Sequence, residues 1–292
     1  MLWIDLPREV DAGAAADGLD WLPFERATVE VMWATPGVPK LSLHGEYFLA
    51  HLLVIQAKGH REQTTALDLA VARNVVLTAH DGPIKFLADI NERVTGDTSL
   101  GEIDSIDFAT VVLDGLLTSY LELTDKILAR VDELDAEALK STGRRDLLSE
   151  MVDLRHRIAA IRRTLASHRS VIVGMSGADF GLVTGAAEAH GFNATSERFE
   201  SAISAIDSAR EALLGTFDIH MSQTAQRTND VMKTLTIVTV LLLPTGVIAG
   251  FMGMNQKPPY SNDDPLVFWV VVGLIVVIAI GTLLVFRARR WI

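Results

Sequence analysis

Residues 234–253 read TLTIVTVLLLPTGVIAGFMG and residues 266–286 read LVFWVVVGLIVVIAIGTLLVF, and neither run contains a charged side chain. Each has the roughly 20 apolar residues needed to cross a hydrocarbon core of about 30 Å. The intervening link, 254–265, holds Asn255, Pro258, Pro259, Asn262, Asp263, Asp264 and Pro265. Prolines and short polar residues stop a helix from either side, so the two runs predict a membrane hairpin with both ends on one face. Lys233 precedes the first run, and Arg287, Arg289 and Arg290 follow the second, whereas the link has Lys257 against Asp263 and Asp264. The positive-inside bias then places both termini in the cytoplasm, as a multi-pass protein of the cell (inner) membrane.

The two runs differ in kind. The second is a Val, Ile and Leu surface suited to lipid. The first carries Thr236, Thr239, Leu243, Gly246, Gly250 and Gly253 at steps of three and four, which puts hydroxyls and bare backbone on one stripe of a helix. Facing lipid, such a stripe gains nothing; facing other helices or water it is useful. One hairpin cannot enclose water, but a ring of first spans with second spans outside can. Close packing of a non-conducting anchor remains an equal reading of the stripe alone.

Outward from the membrane runs, the chain is acidic, with a formal net charge of -11, and has no cysteine. Disulfides, thiolate zinc sites and cysteine nucleophiles are excluded, so any metal meets oxygen or imidazole. The mean hydropathy of +0.27 alongside 22% charged residues is accounted for by apolar residues concentrated at the C-terminal end. The opening MLWIDLPREVDAG lacks the basic and apolar pattern of a signal peptide.

The first 95 residues or so mix short apolar stretches (2–6, 28–33, 47–57, 66–71 and 74–80) with turn formers, which predicts a small sheet with interspersed helix. From 104 to 140, Ile106, Val111, Leu113, Leu116, Leu117, Leu121, Ile127 and Leu134 recur at helical spacing, predicting one amphipathic helix or two. A further helix is predicted over 146–173. Its Arg155, Arg157, Arg162, Arg163 and Arg169 suit charge pairing with the acidic preceding helix better than nucleic acid, so no nucleic-acid partner is expected. Five glycines between 174 and 191 separate this region from a proline-free helical stretch from about 195 to 233, long enough to act as a stalk against neighbouring copies.

These features resemble the CorA family of divalent metal ion transporters, part of the CorA/ZntB superfamily. The resemblance rests on Gly253-Met254-Asn255 ending the penultimate span, on the upstream Asn229-to-Thr236 stretch and Pro244, and on the Arg289-Arg290-Trp291-Ile292 ending. MLWIDL and the stretch 75–80 are similar to the family's cytoplasmic domain. The resemblance implies an α/β cytoplasmic domain over 1–190, with a helical second half. A long stalk helix over 191–233, a pore-lining span over 234–255, an outer loop over 256–265, a second span over 266–286 and a basic tail over 287–292 follow. It further implies a homopentameric funnel in the lipid bilayer passing Mg²⁺, Co²⁺ or Ni²⁺ as cargo, with no resident cofactor. Gly253, Met254 and Asn255 would form the selectivity filter, with Asn255 meeting the hydrated ion, while Asn229, Met232, Leu235 and Leu243 would face the pore together with Thr239 and Gly246.

The chain departs from the family pattern at Met252, usually aromatic, and at Gly246, a hydroxyl residue in some members. The ZntB branch shares this architecture and carries zinc, so a proton-coupled zinc transporter is the alternative. Asp263 and Asp264 read either as a cation-concentrating mouth or as a solvated loop. His44, His51, His60 and His80 read better as structural histidines than as a zinc site, for there is no HExxH. Asp132, Glu133, Asp135, Glu137, Glu197, Glu200 and Asp207 are candidates for regulatory Mg²⁺ of the kind the family holds between subunits, against the simpler reading of a solvated acidic face. No catalytic constellation stands out, and no enzymatic activity is expected.

Overall fold

The structure, a computed structural model, describes residues 1–9, 12–34, 37–58, 61–96, 103–139, 146–177, 180–181, 189–253 and 265–289. The chain divides into two units, Met1–Phe217 and Asp218–Ile292.

The first unit is built on five strands: β1 (Leu2–Pro7), β2 (Lys40–His44), β3 (Tyr47–Lys58), β4 (Arg61–Ala72) and β5 (Val75–His80). Their order is β1-β5-β4-β3-β2, with β1 parallel to β5 and every other pair antiparallel. The β2–β3 turn runs through Gly45 at φ +46°, a left-handed conformation that glycine adopts without a Cβ penalty. Alternation along the strands sends Phe48, Ala50, Leu52, Leu67, Leu69 and Val76 into one buried cluster and Tyr47, Leu49, Ala70, Ala72, Leu77 and Ala79 into a second. A sheet buried on both faces explains why these strands read as nearly continuous apolar runs.

Helices α1 (Ala12–Gly18) and α2 (Arg26–Trp33) cover the second cluster. The apolar stretch 28–33 is therefore helical, burying Thr28, Val29 and Met32 at i, i+1 and i+4 on one side. Helix α3 (Lys85–Gly96) and the single 35-residue helix α4 (Ser105–Leu139) cover the first cluster. Asp104 starts α4, its carboxylate accepting from the amides of Ile106 (2.9 Å) and Asp107 (2.7 Å), which would otherwise lack helical partners. Helices α3 and α4 approach closely at Gly115, where a Cβ would lie 2.7 Å from the Phe86 ring.

The helix expected over 146–173 is two, α5 (Leu147–Ser167) and α6 (Arg169–Met175), broken at His168. The cause lies in the sheet. β2 pairs with β3 only as far as His51, leaving the backbone of Leu53 without a strand on that side. His168 Nε2 accepts from the Leu53 amide at 2.9 Å, and the Tyr120 hydroxyl donates to the Leu53 carbonyl at 2.9 Å. The other ring nitrogen of His168 donates to the Thr164 carbonyl at 2.9 Å. Both nitrogens are thus committed in the neutral form, and burial pushes the His168 pKa down to about 4.

A histidine with a depressed folded-state pKa binds fewer protons when folded than when unfolded, so its contribution is complete above its ordinary value of 6.5 and is lost as pH falls toward 4. About 3 kcal/mol of stability is expected to disappear across that window. Thermal unfolding of the full chain in detergent at a series of pH values checks this, and His168→Gln should flatten the slope.

The arginines of α5 differ from expectation in their partners. Arg157 pairs with Glu62 of β4 at 2.5 Å, and the link between α4 and α5 is made in the opposite sense, from Arg130 of α4 to Glu150 of α5 at 2.6 Å. Helix α7 (Ala189–Met252) takes the rest: Arg162 meets Asp207 at 2.6 Å and Arg169, which opens α6, meets Glu200 at 2.7 Å. The two contacts sit seven residues apart on each side, as antiparallel helices require. The Arg162 guanidinium holds the Asp207 carboxyl below its usual range. A last pair, Arg198–Asp114 at 2.6 Å, ties α7 to α4.

Candidate ion pathway

Helix α7 is one continuous helix of 64 residues, which at about 1.5 Å per residue is roughly 95 Å of helix. Its C-terminal part and helix α8 (Pro265–Ala288) are the described elements of the second unit, and each is long and apolar enough to cross a membrane.

Burial on these helices is one-sided. On α7 the half-buried positions are Ile237, Leu241, Pro244, Thr245 and Ile248; on α8 they are Val271, Val272, Ile275, Ile278, Ala279 and Thr282, with Phe286 buried. Steps of three and four place each set on one face, marking the seam along which the two helices pack. Thr239, Leu243, Gly246, Gly250 and Gly253 are exposed and lie on the opposite side of α7. Asn229, Met232 and Leu235 continue that side toward the N-terminus, and all three are exposed.

The hydroxyls on this helix are internally bonded. Thr236 donates to the Met232 carbonyl and Thr239 to the Leu235 carbonyl, both at 2.8 Å. A threonine bonded in this way has used its proton and keeps lone pairs for an outside donor, so its oxygen presents only acceptor character. At Gly246 and Gly250 no atom lies within 4 Å of where a Cβ would stand, so the stripe is open along its outer half. Pro244, inside α7, falls on the seam and not on the stripe; lacking an N–H, it leaves the Val240 carbonyl without its helical donor.

The apolar sides are bare as well: Phe251 is 72% exposed and Trp269 is 68% exposed. Surfaces of this kind require lipid or further protein around them. Gly253 closes α7, its amide donating to the Ala249 carbonyl at 3.0 Å. Met254, Asn255, Asp263 and Asp264 lie outside the described residues.

Of the acidic candidates for a regulatory metal, Glu133, Glu200 and Asp207 are held by Arg130, Arg169 and Arg162. Among the described residues no group of three His, Asp or Glu side chains is arranged to hold a metal ion. His51 and His80 are each bound to a carboxylate, Asp68 and Asp5, and His44 stacks on Tyr47; His60 lies outside the described residues. The seam on α7 and α8 was not foreseen from sequence, because its residues are as apolar as their lipid-facing neighbours and only packing distinguishes them.

Comparison with known proteins agrees along the whole chain. The cobalt/magnesium transport protein CorA of Methanocaldococcus jannaschii is 25% identical over 253 residues, covering 83% of this chain and 77% of that protein. The complete structure of the CorA magnesium transporter from that organism superposes with a TM-score of 0.84 at 20% identity, over 99% of this chain and 91% of the other. The divalent cation transporter CmaX of Pseudomonas aeruginosa is 23% identical over 86% of this chain and 76% of its own length. The ZntB cytoplasmic domain from Vibrio parahaemolyticus matches with a TM-score of 0.63 at 14% identity, over 77% of this chain and 88% of that one. The family described as CorA-like Mg²⁺ transporter protein matches residues 1–290, and the chain therefore belongs to the CorA family of membrane-embedded divalent cation transporters.

Proposed function

We propose that this protein assembles as a homopentamer and passes hydrated Mg²⁺, with Co²⁺ and Ni²⁺, through an axial pore lined by α7, with both termini in the cytoplasm. The observation that carries this reading is the exposed stripe from Asn229 to Gly253 on the side of α7 opposite its seam with α8. With α8 against one face, the stripe is the face left for an inner wall when copies are arranged in a ring.

The chemistry of that wall suits a hard, strongly hydrated cation. Mg²⁺ gives up water reluctantly, so recognition through its hydration shell needs neutral acceptors, not a carboxylate cage. Asn255 amides and Gly253 carbonyls at the outer mouth are such acceptors, with Met254 between them, and Asp263 and Asp264 raise the local cation concentration. Further in, Thr239 offers an acceptor oxygen about two turns from the bare backbone at Gly246, and Asn229 another at the cytoplasmic end. Leu243, Leu235 and Met232 form apolar rings between these, where a narrow pore loses water and stops conducting. A potential of about 100 mV, negative inside, supplies roughly 4.6 kcal/mol for a doubly charged ion, enough to drive entry without a resident cofactor.

The alternative is zinc transport coupled to protons, as in the ZntB branch, whose soluble domain shares the fold of the first unit. Uptake of Mg²⁺, Co²⁺, Ni²⁺ and Zn²⁺ into proteoliposomes, with and without a proton gradient, separates the two. Mg²⁺ flux indifferent to the proton gradient is the expected outcome. Zinc flux that follows the gradient, with no Mg²⁺ flux, would replace this reading by the alternative.

A further inference from the structure

A second cluster of charge lies at the end of the sheet, where β1, β4 and β5 meet. The Arg8 guanidinium donates to Asp68 and, at 2.8 Å, to Asp81, while its amide donates to the His80 carbonyl at 2.9 Å. His51 Nδ1 lies 2.5 Å from Asp68, and His80 Nε2 lies 3.4 Å from Asp5. Asp5 also accepts from Thr78 at 2.5 Å, whose own oxygen accepts from the Trp3 indole at 3.0 Å. The side chains of Arg8 and Asp68 are 6% and 4% exposed, and those of His51 and His80 are each 10% exposed. Two carboxylates, Asp68 and Asp81, therefore share one guanidinium, and Asp5 is left to the Thr78 hydroxyl and the His80 imidazole.

His80 is the last residue of β5, and the chain from Asp81 to Ile84 leads directly into α3. Gln56 holds that turn, donating to the Pro83 carbonyl at 3.0 Å and accepting from the Lys85 amide at 3.3 Å. We propose that His80 is a proton-operated latch: charged, it fastens the end of β1 to β5 and steadies the turn into α3; neutral, it lets both loosen.

The charges that act on His80 are Asp5 and Arg8, both from β1 and its end. Asp68 of β4 and His51 of β3 stand behind Arg8, Asp81 flanks it in the turn, and α4 brings to this face the uncharged Phe108, packed on Trp3. The hydrogen bond to Asp5 raises the His80 pKa above its ordinary value, against an opposing effect of burial. For a raised folded-state pKa the stabilisation is complete below the unfolded value of 6.5 and fades as pH climbs through the folded one. The latch thus closes as pH falls and opens as pH climbs through the raised folded-state value.

Amide hydrogen exchange of the full chain in detergent tests this, with rates corrected for the intrinsic effect of pH. Residues 2–8 and 81–88 are expected to be about tenfold better protected at about pH 6 than at about pH 8. His80→Gln should remove that difference, and so should Asp5→Asn, which serves if the first variant does not fold. His51→Gln should keep it. Equal protection at the two pH values in the unaltered chain, or a difference that survives in either His80→Gln or Asp5→Asn, would overturn the latch.

Discussion

Replacing Asn255 with alanine is expected to reduce metal-stimulated flux in proteoliposomes by at least about a hundredfold while leaving the oligomer intact in detergent. The magnitude follows from the number of copies. If each amide in the ring contributes even about 1 kcal/mol through its contact with the hydrated ion, five lost together exceed the roughly 2.7 kcal/mol that a hundredfold change requires. Asn255→Asp is the informative companion. It keeps the size and adds charge, so the ion should bind more tightly and leave more slowly, giving stronger cation block at low concentration with a lower maximal rate. Unchanged flux in the alanine variant would remove the filter role and return Gly253 to the status of a helix end. A monomeric protein in detergent would remove the ring altogether.

The second large effect is expected at Leu243. It lies on the exposed stripe, at 63% exposure in the single chain, one turn from the open backbone of Gly246. An apolar ring at this height blocks ions by excluding water, and that barrier vanishes when the ring becomes hydrophilic. Leu243→Asn should therefore give a leak that persists at metal concentrations where the unaltered protein is closed, read as basal uptake raised roughly tenfold or more. The same change at Val238 or Phe251, exposed but off the stripe, should impair insertion without producing a leak. A leak of equal size from all three positions would mean that the stripe does not face the ions.

The membrane runs were legible at once, because twenty uncharged residues have few other uses, and α7 and α8 contain them. A small sheet was legible over the first 95 residues or so from apolar stretches bounded by turn formers, and strands β1, β3, β4 and β5 fall on four of them, but which stretches were strand and which helix was not. Residues 28–33 were harder. The apolar stretch there suits either period, and only contact with Tyr47 and Leu49 of the sheet shows which positions are buried.

The break at His168 left no trace in sequence, because its cause is a strand more than a hundred residues away that outlasts its neighbour. The arginine partners were misassigned for a similar reason. A helix of one sign beside a helix of the other looks self-sufficient, yet Arg162 and Arg169 are aligned with Asp207 and Glu200 by the packing of a third helix. At the pathway the stripe was visible as a period, whereas the roles of Asn229, Met232 and Leu235 came from the family resemblance. Their shared exposed side on α7 is consistent with those roles.

The overhang of β3 beyond β2 has a bearing on how this protein behaves while it is being made. A bare stretch of strand edge is a docking strip for any other extended chain, and a nascent membrane protein spends time near many copies of itself. Tyr120 and His168 occupy that strip at Leu53 with one donor and one acceptor. Chains lacking either side chain should accumulate in inclusion bodies, even where the assembled transporter, once rescued, moves its cargo normally.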